Sequence, residues 1–244
     1  MVKYIVRQHA LMTIGAITSM NYNEMTHEMC DLTAYKHWDT STSDGQRRLS
    51  HLEIHPEQLS LMEKYLNQDM SILDLGCGTN LYKKYYPNIL GVDVIDHPDV
   101  DVRSSILQFK SEQKFDAVLS LGSIQYFDYI YIEKCFAKMV DLVKSGGLII
   151  FRALYREPSD HKAHLTVNES GKKYLYFWEK NMGILFFWEK NMIERLTTEY
   201  NLDIIHPLTT YPLKGPVNEK FYAVNVKGSE SKELMNMTLI WRKL

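Results

Sequence analysis

The sequence predicts an α/β fold in which a mostly parallel sheet carries helices on both faces. Short apolar runs typical of strands alternate along the chain with stretches of helical periodicity. The apolar runs lack the strict alternation of a half-exposed strand, so we expect them to be buried on both faces. A Gly-x-Gly sequence directly follows the first run. This order is typical of β-α-β units, in which successive strands run parallel.

Composition narrows the class of protein. The 244 residues are 45% hydrophobic and 24% charged, with a net charge of −2, which argues against attraction of nucleic acid over the whole surface. Cys30, Cys77 and Cys135 form no CxxC pair, so a disulfide framework or a cysteine-rich zinc site is not expected. No uncharged apolar run reaches the roughly 20 residues needed to span a membrane. We therefore expect a soluble cytosolic protein.

The elements are predicted in order from residue 56. A helix is expected over 56–67, because Pro56 suits a first helical turn and Leu59, Met62 and Leu66 recur at helical spacing. Lys144 and the glycines at 146 and 147 are typical of a helix end. The remaining predictions are strands over 71–75, 89–94, 115–121, 147–152, 202–205 and 237–241, and helices over 80–86, 132–143 and 193–200.

The C-terminal third is rich in aromatic residues and contains a duplication. Residues 177–182, FWEKNM, recur as residues 187–192, and we interpret the repeat as a tandem duplication without a chemical role. The segments 174–178 and 184–188 predict a hairpin with a turn over 181–183. Trp178 and Trp188 would form a lid on the site, or else an added sheet edge packed on the core.

The segment ILDLGCGTN, which begins at residue 72, carries the most information about function. Glycine at 76 and 78 lets the backbone approach a ligand closely, and Asp74 directs a carboxylate toward the same crevice. Asp93 ends the next predicted strand, where an acid accepts hydrogen bonds from a ribose diol. A dinucleotide site would place a third glycine where this chain has Leu81, and an acid beside the loop suits a cationic ligand better than a pyrophosphate.

This segment resembles the first motif of the class I S-adenosylmethionine-dependent methyltransferases, and the resemblance extends over residues 56–152. It implies a Rossmann-like fold with a central seven-stranded sheet, and S-adenosylmethionine as cofactor. Residues 56–244 would form the methyltransferase domain, capped on the acceptor side by residues 1–55 and an aromatic insertion at 158–188. A serine stands where the family usually has an acid beside adenine. The resemblance implies a methionine subsite at Asp74, Gly76, Cys77 and Gly78, a ribose subsite at Asp93 and Val94, an adenine subsite at Ser104, Ser105 and Ile106, and strand-end carbonyls facing the methyl donor at Leu121 and Gly122.

Acceptor chemistry is less defined. A base is needed only if the nucleophile must lose a proton on methylation. Gln125 and Tyr126 are candidates, because they lie in the segment 123–127, where many members place acceptor-side residues. His55 is a third candidate, since His51, Glu53 and His55 would share one face of a strand and serve as a base or metal ligands. We favour a polar surface face for that strand and predict no metal site.

The function predicted is methyl transfer to an oxygen or nitrogen of a small-molecule or sugar-like acceptor. One alternative is an RNA methyltransferase, if the basic pairs at 47–48, 83–84 and 172–173 converge near the crevice. The other is a catalytically degenerate domain that binds S-adenosylmethionine without turnover. The oligomeric state is not predicted.

Overall fold

A seven-stranded sheet forms the centre of the fold in the computed structural model, which describes residues 54, 56–124, 129–156, 165–167, 173–175, 188–212 and 234–244. A separate antiparallel pair consists of β6 (Leu165–Val167) and β7 (Lys173–Leu175). The strands of the main sheet are β1 (Ile72–Leu75), β2 (Ile89–Asp93), β3 (Val102–Arg103), β4 (Phe115–Leu121), β5 (Val143–Arg156), β8 (Leu202–Pro212) and β9 (Leu234–Lys243).

The strand order is β3-β2-β1-β4-β5-β9-β8, and β9 runs antiparallel to both of its neighbours. The pairings among β1 to β5 are parallel. The predicted class I fold, with its seven-stranded and mostly parallel sheet, is therefore confirmed. From β1 the chain continues to β2, which pairs with one side of β1, whereas β4 pairs with its other side. Ligands of open α/β sheets bind at such a switch point, outside the carboxyl ends of the strands.

Helices cover both faces of this sheet. They are α1 (Pro56–Tyr65), α2 (Tyr129–Leu142) and α3 (Lys190–Glu199). Successive strand residues enter opposite cores, as the apolar runs predicted. Met62 of α1 packs in the cluster that contains Ile72, Leu119 and Ile150. The opposite cluster joins α2 and α3 to the other face and contains Leu73, Val118, Phe136, Ile149, Phe151 and Met192.

Several boundaries differ from the predictions. The helix predicted over 80–86 is instead a single 3-10 turn, Leu81–Lys84, because Asn80 has a left-handed backbone with φ of 51° and Pro87 follows soon after. β5 begins four residues earlier than predicted. β8 continues to Pro212 through two register shifts. The two-residue strand β3 was not predicted, since so short an element shows no periodicity.

Trp188 does not belong to a lid. Its side chain is 0% exposed, and its ring centroid lies 4.5 Å from that of Phe151 and 6.1 Å from that of Phe136. Its backbone N–H donates to the Leu154 carbonyl at 2.9 Å, so the residue is part of the core. Of the two predicted roles, the lid is therefore wrong for Trp188, whereas packing on the core beside the sheet edge agrees with its bridge to Tyr155.

The predicted hairpin and caps lie largely outside the described residues. β7 contains residues 173–175 and pairs with β6, whereas the other predicted hairpin strand, 184–187, is not described. Trp178, the first copy of the repeat, and the predicted cap over 1–55 apart from Ile54 are also outside that part. The second copy of the repeat leads into α3. Among the described residues, no helix is long and apolar enough to cross a membrane.

Candidate active site

The glycine loop turns sharply where β1 ends. The N–H groups of Gly76 and Cys77 both donate to the Val92 carbonyl, at 2.8 and 3.2 Å, which holds the loop against β2. Gly76 has φ of 77° and Gly78 has φ of 56°, a region that other residues adopt only with strain. The conformation explains why both positions carry glycine.

Ser123 occupies the space directly beside Gly76. A Cβ built on Gly76 would lie 2.2 Å from the Ser123 Cβ, far inside contact distance. The Ser123 hydroxyl donates to the Leu75 carbonyl at 2.7 Å and shares a hydrogen bond of 2.8 Å with the Ser120 hydroxyl. Ser123 therefore links the end of β1 to the end of β4. Ile124, in the same segment, is buried in the core.

Asp93 anchors the loop from the end of β2. Its two carboxylate oxygens accept the N–H groups of Gly78, at 2.8 Å, and Ile95, at 3.1 Å. Burial raises the pKa of Asp93, although these backbone hydrogen bonds act in the opposite direction. Val94 follows with its carbonyl accepting the Arg103 Nε at 3.2 Å. Asp93 thus lies next to the loop, as predicted, and it also holds the loop in place.

Asp74 is a buried carboxylate that has no hydrogen-bond partner among the described residues. Its side chain is 2% exposed, and its Oδ1 has no hydrogen-bond donor within reach. Burial, followed by the charge of Asp93, raises the pKa of Asp74 to about 7. The negative charges of Asp74 and Asp93 repel each other, so a bound cation beside them is favourable. Burial also raises the pKa of the Cys77 thiol, with Asp74 adding to the effect, so Cys77 is neutral and unsuited to nucleophilic attack.

A second polar cluster, which the sequence did not reveal, joins the 3-10 turn to β2 and to Asp101, just before β3. Asp101 accepts the Gly91 N–H at 2.9 Å, the Asn80 Nδ2 at 3.1 Å and the Lys83 ammonium. Partial burial opposes the effect, but these donors lower the pKa of Asp101. The Asn80 amide covers Gly91, where a Cβ would lie 2.5 Å from its Nδ2. The glycine inside β2 was the available sequence signal for this close approach.

The predicted adenine residues follow β3 closely. The Ser104 N–H donates to the Asp93 carbonyl at 2.9 Å, which brings this segment beside the ribose candidate. The Ser105 hydroxyl accepts the Gln108 N–H at 3.3 Å, and Ile106 is buried in the core. Ser104 is the more accessible of the three residues.

At the end of β4, Leu121 and Gly122 lie next to β5. The Gly122 N–H donates to the Arg152 carbonyl at 2.8 Å, and Leu121 is paired in register with Arg152. The remaining acceptor-side candidates, Gln125, Tyr126 and His55, lie outside the described residues, as do His51 and Glu53. Of the basic pairs, Lys83 is bound to Asp101 and Lys84 lies over the Tyr85 ring at 4.9 Å, so neither suggests a nucleic-acid surface.

A comparison with known protein families identifies the family of this chain. The family described as "Methyltransferase domain" matches residues 45–207. The chain belongs to this family. The predictions of a methyltransferase and of the class I S-adenosylmethionine-dependent superfamily are therefore confirmed. No curated protein sequence shows significant similarity to the chain.

Solved structures with low sequence identity share the fold. A 1,6-didemethyltoxoflavin-N1-methyltransferase from Burkholderia thailandensis, with bound S-adenosylhomocysteine, is 15% identical with a TM-score of 0.57, over 87% of each chain. A geranyl diphosphate C-methyltransferase from Streptomyces coelicolor is 13% identical with a TM-score of 0.51, over 84% of this chain and 86% of that one. The [4+2]-cyclase SpnF is 11% identical with a TM-score of 0.53, over 77% and 80%. At these identities the likeness concerns the fold alone.

Proposed function

We propose that this chain transfers a methyl group from S-adenosylmethionine to an oxygen or nitrogen of a small-molecule or sugar-like acceptor. The observation that carries the proposal is the buried, unpartnered carboxylate of Asp74 beside the glycine loop at the switch point. An uncompensated buried charge is costly, and a cationic ligand removes that cost. S-adenosylmethionine carries a sulfonium and an ammonium group, whereas a pyrophosphate would add repulsion. The neighbours named as N- and C-methyltransferases of small molecules support the acceptor class.

The residues around the crevice suit the parts of this cofactor. The sharp turn from Gly76 to Gly78 brings loop backbone to the crevice, and Asp74 offers charge to the methionine end. Each carboxylate oxygen of Asp93 accepts one hydrogen bond from the backbone, and a carboxylate has about four lone-pair sites. It therefore keeps acceptor capacity for ribose hydroxyls. Ser104 would lie near the adenine.

Bound S-adenosylmethionine supplies a methyl carbon on positively charged sulfur, so the acceptor's lone pair forms the new bond while the electron pair of the S–CH3 bond remains on sulfur. The chain contributes binding and alignment, which account for much of the rate of such a displacement. Gln125, Tyr126 and His55 stay predictions as acceptor-side groups. A base among them is needed only when the acceptor atom carries a proton that it must lose.

Calorimetric titration with S-adenosylmethionine and S-adenosylhomocysteine, with NAD as control, tests the cofactor. We expect micromolar binding of the two sulfur ligands and no heat from NAD. Absence of binding by both sulfur ligands would contradict the proposal. Binding without turnover across acceptor panels would instead favour the degenerate domain.

The ribose assignment is tested with Asp93→Ala. We expect S-adenosylhomocysteine affinity to fall by on the order of 1–3 kcal/mol, because a charge-assisted hydrogen bond is lost. The 2′,3′-dideoxy analogue of the ligand lacks both hydroxyls and separates this bond from the anchoring of the loop, since it should bind the variant and the wild type with similar affinity. Asp101→Ala is the matched control, because Asp101 also accepts a backbone N–H, that of Gly91, but is not assigned to the ribose. An equal loss with the dideoxy analogue would show that Asp93 only positions the loop.

A further inference from the structure

Arg152 lies on β5 at the carboxyl end of the sheet, on the face that α1 covers. Leu148 and Ile150, four and two residues before Arg152, pack in the α1-side core. Because side chains alternate along a strand, Arg152 lies on the same face. Its register partners are Leu121 on β4 and Thr238 on β9. The guanidinium therefore emerges one strand beyond the end of β4, where the methyl donor is expected.

The Arg152 guanidinium has no acidic partner in the described part of the chain. Its Nε is buried without a hydrogen bond, and none of its nitrogens is engaged in a hydrogen bond or a salt bridge there. An arginine stays charged at every relevant pH, so its partial burial without an anion is unfavourable. Asp74 does not compensate it, because β4 separates their strands, which places them about 10 Å apart.

Gln58 adds a second unpartnered polar group on this face. Its side chain is 3% exposed, and in the part of the chain that the structure describes neither its Oε1 nor its Nε2 has a hydrogen-bond partner. It occupies the buried stripe of α1 with Met62, one turn earlier. A short link joins the end of α1 to the start of β1, so the first turn of the helix is directed toward the carboxyl ends of the strands. Buried amides without partners are rare unless a ligand or water satisfies them.

The order of groups along the sheet edge separates cofactor from acceptor. Asp93 lies on β2, the glycine loop follows β1, Leu121 and Gly122 end β4, and Arg152 lies on β5. A cofactor that extends from β2 to β4 leaves the space at β5 for the acceptor. We propose that Arg152 binds an oxyanion of the acceptor, a carboxylate or a phosphate, with Gln58 as an additional hydrogen-bonding group. This inference rests on the proposed function and restricts its acceptors to anionic small molecules.

The test uses paired probes on the full chain saturated with S-adenosylhomocysteine. Benzoate is compared with benzamide, and phenyl phosphate with phenol, by ligand-observed NMR titration. We expect at least one anion to bind about tenfold or more tightly than its neutral partner, because a bidentate arginine pair is charge-assisted. The stronger of the two anions identifies carboxylate or phosphate. Arg152→Gln should abolish the preference and leave S-adenosylhomocysteine affinity within about twofold.

Two further variants keep the result interpretable. Arg152→Lys retains the charge without the planar fork, so it should fold like the wild type and show an intermediate preference. Arg103→Gln changes an exposed arginine that pairs with Asp96 and should leave the preference intact. Equal binding of anions and neutral partners by the wild type would overturn the inference. So would an equal loss of S-adenosylhomocysteine affinity in Arg152→Gln, since Arg152 would then hold the cofactor. Failure of the wild type to bind S-adenosylhomocysteine, measured first, overturns the proposed function itself.

Discussion

At the amino end of the central sheet Asp116 is surrounded by donors, whereas at the carboxyl end Asp74 has none within the described ranges. The Asp116 carboxylate accepts the Ser71 N–H at 2.8 Å, the Ser71 hydroxyl at 2.7 Å and the Lys144 ammonium at 2.7 Å. The hydrogen bond from Lys144, followed by those from Ser71, lowers the pKa of Asp116 to about 2, while burial raises that of Asp74 to about 7. The two acids lie on adjacent strands of the same sheet, so strand structure alone does not set their ionisation.

The difference shows that polar groups serve different purposes at the two ends of the sheet. Asp116 stabilises the fold, because its donors are present in the ligand-free chain. Asp74, Gln58 and Arg152 are unsatisfied at the other end, which is costly unless a ligand completes them. We therefore expect changes at the amino end to alter stability alone, and changes at the carboxyl end to alter ligand binding as well.

The largest effect is expected from Gly76→Ala. The new Cβ combines φ of 77° with the 2.2 Å approach to Ser123. Strain and overpacking together should lower the free energy of unfolding by about 3 kcal/mol or more and abolish S-adenosylhomocysteine binding. Urea denaturation and calorimetry measure the two quantities.

Gly146→Ala is the matched control at the amino end. Gly146 has φ of 76°, and a Cβ there would meet nothing within 4 Å. The cost should be about 1–2 kcal/mol, from backbone strain alone, with binding unchanged. The double variant Gly76→Ala/Ser123→Gly should recover part of the lost stability. Equal costs for Gly76→Ala and Gly146→Ala would contradict the role of Ser123.

Asp74→Asn should stabilise the ligand-free protein in a pH-dependent way. Because the folded pKa of about 7 exceeds the ordinary value of 3.8, the folded state binds more protons between these values, and stability falls as pH rises through them. The variant lacks this loss, so at pH above about 8 it should be more stable by on the order of 2–4 kcal/mol, and near pH 3 the two proteins should match.

The same substitution should weaken binding of the sulfonium ligand. In the wild type, affinity for S-adenosylmethionine should rise as pH increases through about 7, since Asp74 must ionise to pair with the cation. Asp74→Asn should lower that affinity and flatten its pH profile. Calorimetry across this pH range measures both. An identical profile in the variant would mean that Asp74 does not face the ligand.

Sequence patterns predicted the strands of the sheet well, but they did not predict the groups that complete the site. β4 coincides with its predicted bounds, because a short, mostly apolar run between polar segments has few alternative structures. Asp74 and Gly76 were found because their spacing follows the strand directly. The role of Trp188 could not be decided, since an aromatic residue packs equally well in a lid or on a core.

Arg152 and Gln58 were not predicted as site residues, for a different reason. Each belongs to an element that was predicted, yet neither carries a local signal for function. Their significance depends on strand order, which sets β5 beside β4, and on the packing of α1 against one face. The same holds for Ser123, whose contact with Gly76 joins residues 47 positions apart. Such relations arise from tertiary structure and leave no periodicity in the sequence.

The smallest effects are expected at the amino end, where they complete the comparison. Asp116→Ala should lower the free energy of unfolding at pH 7 by about 1–2 kcal/mol, because the Ser71 N–H loses its acceptor while solvent screens much of the charge. Since the folded pKa of about 2 lies below the ordinary 3.8, this contribution is complete above about pH 4 and is lost as pH falls toward 2.

Lys144→Met removes only the partly exposed ion pair and should cost at most about 0.5 kcal/mol. Urea denaturation at several pH values measures both, and S-adenosylhomocysteine affinity should stay within about twofold of the wild type. A larger change in affinity would show that the two ends of the sheet are coupled, and that Asp116 contributes to more than stability.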